Sequence, residues 1–260
     1  MPSPSILTPE LLAQLERLKL ELVLASDQAG FLEKADVVSI PSWPEFMMND
    51  AVANRYWRAL NERHAAFQFA LVERESGNWI AVGNSIPVHF SGPLENLPDK
   101  GWDWALLTGM ESSETPNLLC ALAIQILPDH RGGGLSTLMI KIMKAIGHAA
   151  GLDQLIAPVR PNKKCDYPLI PMEAYVEWSR ADERFDPWLR VHQRLDARIL
   201  KVCPEAMRIV GSIPEWEAWT GLSFQTSGEY IIPGALNPIT IDMDRDEGLY
   251  IEPNVWMLHH

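Results

Sequence analysis

Six consecutive residues, Arg131-Gly132-Gly133-Gly134-Leu135-Ser136, carry the most specific chemistry in the chain. Glycines let the backbone turn tightly enough to aim several unpaired N–H groups at one point. A helix that starts there adds the positive end of its dipole. Phosphate or pyrophosphate is the ligand that such a seat suits. A Walker-type seat is excluded, because no Gly-Lys-Ser/Thr follows. A dinucleotide seat needs an early βαβ unit with an acidic residue about 20 positions on. Here the turn is mid-chain, behind a hairpin signal, and Asp153 precedes the next strand.

Other side chains are capable of chemistry. His192 sits in Trp188-Leu-Arg-Val-His-Gln-Arg-Leu-Asp-Ala197. Its imidazole gives or accepts a proton near neutral pH, although a helix histidine also simply packs or faces water. In Pro158-Val-Arg-Pro-Asn-Lys-Lys164, Asn162 suits a carbonyl or carboxylate and Arg160 suits a carboxylate. The plainer reading of Arg160, Lys163 and Lys164 is a solvated basic loop. Cys120, Cys165 and Cys203 are widely spaced and odd in number, with no cysteine–histidine motif. They read as reduced thiols, not as a disulfide frame, a zinc site or a nucleophile. Asp242, Asp244, Asp246 and Glu247 lack the glycine and final glutamate of a calcium loop and read as an acidic turn.

Regular elements must hold these groups in place. Leu118–Leu127 is an apolar strand running into the glycine turn. Leu135, Leu138, Met139, Ile142 and Ile146 then recur on one helical face, and Gly151 can end that helix. Gln154–Pro158 is the following strand. Upstream, Thr8 and Pro9 begin a helix expected to run from Glu10 to about Leu24, and Asp36–Ile40 is expected to be a short strand. Asn49 or Asp50 caps a helix to about Arg63. Ala66–Val72 and Trp79–Val88 form a hairpin through Ser76-Gly-Asn78, and Gly92–Gly109 is a connection. Downstream, Ile213–Gly221 reads as a short helix with Trp216 and Trp219 on one face, and 230–241 as a strand broken by Pro-Gly. The apolar tail Tyr250–Met257 is expected to dock.

Composition sets limits. The 260 residues carry 22 Lys+Arg against 34 Asp+Glu, a net charge of −12, which argues against a nucleic-acid partner. No run of about 18 apolar residues predicts a membrane span. The first residues lack the basic and apolar regions of a signal peptide, so a cytoplasmic location is expected.

The order strand, strand, phosphate turn, long helix, strand resembles the GCN5-related N-acetyltransferases, over roughly Phe67 to Ala197. Their coenzyme A motif is Arg or Gln, two residues, Gly, one residue, then Gly or Ala; Arg131 and Gly134 match it, and Ser136 stands in the last small position. The resemblance implies an α+β fold, with a mixed, mostly antiparallel sheet flanked by helices and a C-terminal extension over one end. It divides a single domain, 1–260, into N-terminal helices (1–65), an acyl-CoA-binding core (66–202) and the extension (203–260). It implies that the amides of Arg131, Gly132, Gly133, Gly134, Leu135 and Ser136 hold the pyrophosphate of acetyl-CoA or another acyl-CoA. Free backbone groups of the preceding strand, at Ile124 and Ile126, would bind the pantetheine arm.

The family commonly has a carboxylate on that strand and a tyrosine on the later helix. No Asp or Glu occurs between Leu118 and Leu127, and His192 stands at the tyrosine's place. His192 and Asn162 are therefore the catalytic candidates. An absent strand carboxylate suits a thiol acceptor, which ionises easily, or a decarboxylation. The Pro158–Lys164 segment with His192 is similar to the acetyltransferase-like loading domains of polyketide initiation. Three functions follow from the resemblance. The first is acyl transfer to a small-molecule amine or an acyl carrier protein thiol; the second is malonyl-CoA decarboxylation with or without carrier loading; the third is acyl-CoA binding without catalysis. Lys163 or Lys164 would meet the coenzyme's 3′-phosphate or an acidic carrier.

Overall fold

A computed structural model describes residues 6–260. The N-terminal part alternates short helices and strands: α1 (Pro9–Arg17), β1 (Leu20–Leu24), α2 (Phe31–Ser39) and α3 (Ala51–Arg63). The hairpin β2 (Gln68–Glu73) and β3 (Trp79–Val88) follows, then α4 (Gly101–Glu111), β4 (Leu118–Ile126), α5 (Leu135–Ala149) and β5 (Leu155–Val159). Next come α6 (Met172–Val176), a small hairpin of β6 (Ser179–Arg180) and β7 (Glu183–Arg184), and α7 (Pro187–Gln193). The chain ends with β8 (Arg198–Gly211), α8 (Ile213–Thr220), β9 (Gly228–Tyr230), β10 (Ile239–Asp242) and β11 (Glu247–His259).

Nine strands form one sheet in the order β1-β2-β3-β4-β5-β11-β10-β9, with β8 on the other edge of β11. Every pairing is antiparallel except β4 with β5, which run parallel and meet at Leu119↔Leu155 and Cys120↔Ile156. Helices α3 and α4 cover one face through Tyr56, Leu60, Trp102 and Leu106. Helices α1 and α5 cover the other through Leu11, Leu15, Leu138 and Ile142. Burial on both faces explains why β4 is apolar from Leu118 to Ile124 and not alternating. Leu118, Cys120 and Leu122 join the first core, and Leu119 joins the second. No described helix is long and apolar enough to cross a membrane.

Several elements differ from expectation for local reasons. The first helix stops at Arg17, Lys19 adopts φ 56°, and Leu20–Leu24 is a strand. Leu20, Leu22 and Leu24 are buried and Glu21 is exposed, a period of two that belongs to a sheet. Residues 36–40 are not a strand: they complete α2 and continue into a 3₁₀ turn, because Phe31, Ala35 and Val38 recur on one buried helical face. The connection after Gly92 contains α4, which seats Trp102, Ala105 and Leu106 in the core. Asp50 caps α3, its Oδ1 accepting from the Ala53 amide at 2.7 Å. The tail does dock, and deeply: β11 pairs with β5, β8 and β10, so the C-terminal extension is an interior part of the sheet.

Candidate acyl-CoA site

The glycine turn lies where β4 gives way to α5. Gly132 and Gly134 adopt φ of +84° and +81°, the left-handed region that disfavours any side chain. Gly134 is the N-cap of α5, and no side chain caps that helix. Among the described residues, the amides of Gly132 through Ser136 donate to no protein acceptor. A Cβ added at Gly132, Gly133 or Gly134 would meet nothing within 4 Å, so the turn is open outward. Arg131 closes it from behind, its Nε donating to the Ile126 carbonyl at 2.9 Å. The arrangement is a cluster of free amides at a helix N-terminus, suited to a diphosphate.

Beyond Cys120 and Ile156, β4 and β5 diverge, and β4 has a free edge. The Leu127 amide bonds to Ile80 on the β3 side. Strand alternation therefore turns the backbone groups of Ile124 and Ile126 to the free edge, where the Ile126 carbonyl is taken by Arg131 while the Ile126 amide and the Ile124 groups stay open. Between Asn84 and Ser85 the β3–β4 register slips, and the freed Leu122 carbonyl is taken by Trp102 Nε1 at 2.9 Å. The Gln125 side chain fits between Val82 O (3.3 Å) and Trp43 Nε1 (3.1 Å).

The divergence opens a cavity of about 950 Å³. Ile124, Ile126, Arg131, Gly132, Leu135, Ser136, Asn162 and His192 all line it; Gly133 and Gly134 lie outside the lining. Asp36 of α2, Trp43, and Asn54, Trp57 and Arg58 of α3 line the same cavity. Asn162 is exposed, while His192 is buried. The His192 Nδ1 lies 2.8 Å from His259 Nε2, its Nε2 has no partner, and the Trp188 ring packs edge-on at 4.5 Å. Burial, then His259, holds its pKa well below the usual imidazole value, so the ring is neutral.

The loop after β5 is not a solvated basic loop. Arg160 Nε lies 2.9 Å from both oxygens of the fully buried Glu252, and its Nη2 donates to Gly234 O at 2.6 Å. Lys164 is also fully buried, donating to the Leu236 carbonyl at 2.6 Å and the Tyr167 carbonyl at 3.0 Å. Burial lowers its pKa to about 8. Both side chains clamp the loop onto residues 234–236, because a buried cation requires acceptors around it. Arg160 is thus unavailable to a ligand carboxylate and Lys164 to a 3′-phosphate; only Lys163 is exposed.

Buried thiols are inert: burial pushes the Cys120 pKa well up and that of Cys203 to about 12. In the acidic turn, Asp242 Oδ1 accepts from the amides of Asp244 and Arg245, and Asp246 Oδ1 from that of Ile213. Two further carboxylates lie near Glu252. Burial, then the charge of Asp50, raises the Asp103 pKa to about 8, and burial raises that of Asp50.

No family model matches the chain. The arginine N-acetyltransferase avaD of Aspergillus versicolor is 34% identical over 247 residues, covering 84% of each protein. In fold, the chain is similar to the loading GNATL domain of CurA from Lyngbya majuscula, with TM-score 0.61, 18% identity and coverage of 92% and 96%. The chain belongs to the GCN5-related N-acetyltransferases. It is an acyl-CoA-dependent acyltransferase. The GphF GNAT-like decarboxylase in complex with isobutyryl-CoA shares the fold at TM-score 0.55 and 15% identity, with coverage of 92% and 97%.

This GNAT carries no carboxylate on β4; Asp36 and Glu252 are the carboxylates that line its cavity. Sequence reasoning missed both. Asp36 was hidden by the strand reading, and Glu252 lies in a tail whose place in the sheet no local pattern reveals. His259 was missed for the same reason as Glu252.

Proposed function

We propose that this GNAT transfers an acyl group from acetyl-CoA or a similar acyl-CoA to a small cationic amine or guanidine. In this reading the diphosphate sits on the amides of Gly132 to Ser136, and the pantetheine arm adds to the free edge of β4 at Ile124 and Ile126. The acceptor nitrogen attacks the thioester carbonyl carbon, the C–S bond breaks, and one proton passes from nitrogen to sulfur. His192 handles that proton, and Asn162 at the rim orients the acyl carbonyl.

The observation that carries the reading is the single cavity lined both by the open glycine turn and by Asp36, Trp43 and Trp57. Glu252 is committed to Arg160, Tyr250 and Asn254. The Asp36 side chain has no hydrogen-bond partner among the described residues; burial followed by the charge of Glu33 raises its pKa, and Arg58 offsets only part of that. A cation beside it relieves that penalty, and indole faces favour the same charge. The avaD relative is named for arginine, an acceptor of this type. The three free thiols fit a reducing compartment, and we place the protein in the cytoplasm.

The test is acetyl-CoA with L-arginine, agmatine and propylamine, products being identified by mass spectrometry. Acetylated arginine or agmatine is the expected product. A thermal shift with acetyl-CoA checks donor binding separately. Donor binding with no acetylated amine, but with acetylation of a carrier-protein thiol, would overturn the assignment of the acceptor.

A further inference from the structure

Two imidazoles meet where α7 packs against the end of β11. His192 of α7 and His259 at the end of β11 are 3% and 0% exposed, with ring centroids 5.0 Å apart. Their facing nitrogens, Nδ1 and Nε2, are 2.8 Å apart, and the outer nitrogen of His192, Nε2, lacks a partner among the described residues. A buried polar atom left unpaired is costly, so its place beside the cavity calls for a use. One proton occupies the line between neutral rings. When it is on His192, the His192 Nε2 is a bare acceptor; when it is on His259, the same atom is an N–H donor. The ring that lines the cavity is His192.

We propose that His192 and His259 form a two-imidazole proton relay. This rests on the proposed transfer to an amine. As the acceptor nitrogen bonds to the acyl carbon, its proton passes to His192 Nε2, and the His192 Nδ1 proton passes to His259 Nε2. His192 stays uncharged and has become a donor. The C–S bond breaks with its electron pair on sulfur, the coenzyme A thiolate takes the Nε2 proton, and His259 returns its proton to His192 Nδ1. Atoms and charge balance, and both rings end as they began. Lys144 and His260 repel a charge on His259, and the Leu195 carbonyl favours it. Burial is the largest influence and holds the His259 pKa to about 4, which makes its imidazolium a transient donor. His259 touches no substrate in this scheme; it is a positioning and relay residue acting through His192.

The decisive variant is His259→Gln. A glutamine amide can keep the hydrogen bond to His192 and most of the packing, but it cannot carry a proton through. The single-turnover rate with acetyl-CoA and L-arginine is expected to fall at least about tenfold, with acetyl-CoA affinity unchanged. Proton inventories in H₂O/D₂O mixtures should be bowed for the wild type and straight for the variant. A wild-type rate in His259→Gln overturns the relay. Should the variant fold poorly, ¹⁵N shifts of His192 in the wild type decide. A mixed tautomer supports the relay, and a single fixed tautomer with and without acetyl-CoA overturns it. A full rate in His192→Ala, or a wild type that binds acetyl-CoA but acylates no amine, would instead sink the proposed function.

Discussion

Arg160 Nε sits 2.9 Å from each carboxylate oxygen of Glu252, joining the end of β5 to the middle of β11. Tyr250 and Asn254 complete the shell around Glu252, donating at 3.0 and 3.2 Å. The pair ties the end of β5, the strand that diverges from β4, to β11.

Removing one partner leaves the other charge buried and uncompensated. Glu252→Gln is expected to destabilise the fold by about 3 kcal/mol in urea unfolding. The double variant Arg160→Met/Glu252→Gln should recover part of that loss, since no unpaired charge remains. A loss below about 1 kcal/mol in the single variant would show that the pair is not what holds the loop.

The glycine turn makes a contrast between neighbours. Gly134 has φ +81°, whereas Gly133 has no positive φ, and a Cβ at either meets open space. Gly134→Ala should strain the turn by roughly 1–2 kcal/mol and weaken acetyl-CoA binding about tenfold. Gly133→Ala should bind within about twofold of wild type. Isothermal titration separates the two, and equal affinities would mean that the turn geometry does not govern the donor.

Asp36 gives a specificity test. Asp36→Asn is expected to lower kcat/KM for L-arginine about tenfold while leaving propylamine nearly unchanged, because only the former offers a second cation. A uniform fall for both acceptors would place Asp36 outside recognition of that cation.

Asp103 sets a pH dependence. Its pKa is raised from 3.8 to about 8, first by burial and then by Asp50. The folded state therefore holds a proton that the unfolded chain releases. Its stabilising share is full below about pH 4 and is lost as pH rises through about 8. Asp103→Asn keeps an acceptor for the Arg208 amide and a donor toward Asp50, so it should be more stable than wild type above pH 8, by roughly 1–2 kcal/mol. Melting temperatures from pH 5 to 9 check this; a parallel pair of curves would remove Asp103 from the account.

The local half of this protein is written in short stretches of residues. The apolar run of β4, the positive-φ glycines and the 3.6-residue period of α5 each follow from backbone sterics and burial, so the phosphate-binding turn and its flanking elements could be read directly. The misreading at residues 36–40 arose because the four apolar or small residues after one aspartate fit either period until Phe31 and Ala35 are counted. What the sequence alone could not decide is everything that depends on β11. Glu252 meets Arg160 across 92 residues, and His259 meets His192 across 67. Those contacts arise only when β11 pairs with β5, and backbone pairing in a sheet leaves no trace of which distant strand will be its neighbour. Burial likewise turned Lys164 from an expected surface charge into an internal clamp, because the carbonyls that receive it, Tyr167 and Leu236, are brought together by the fold.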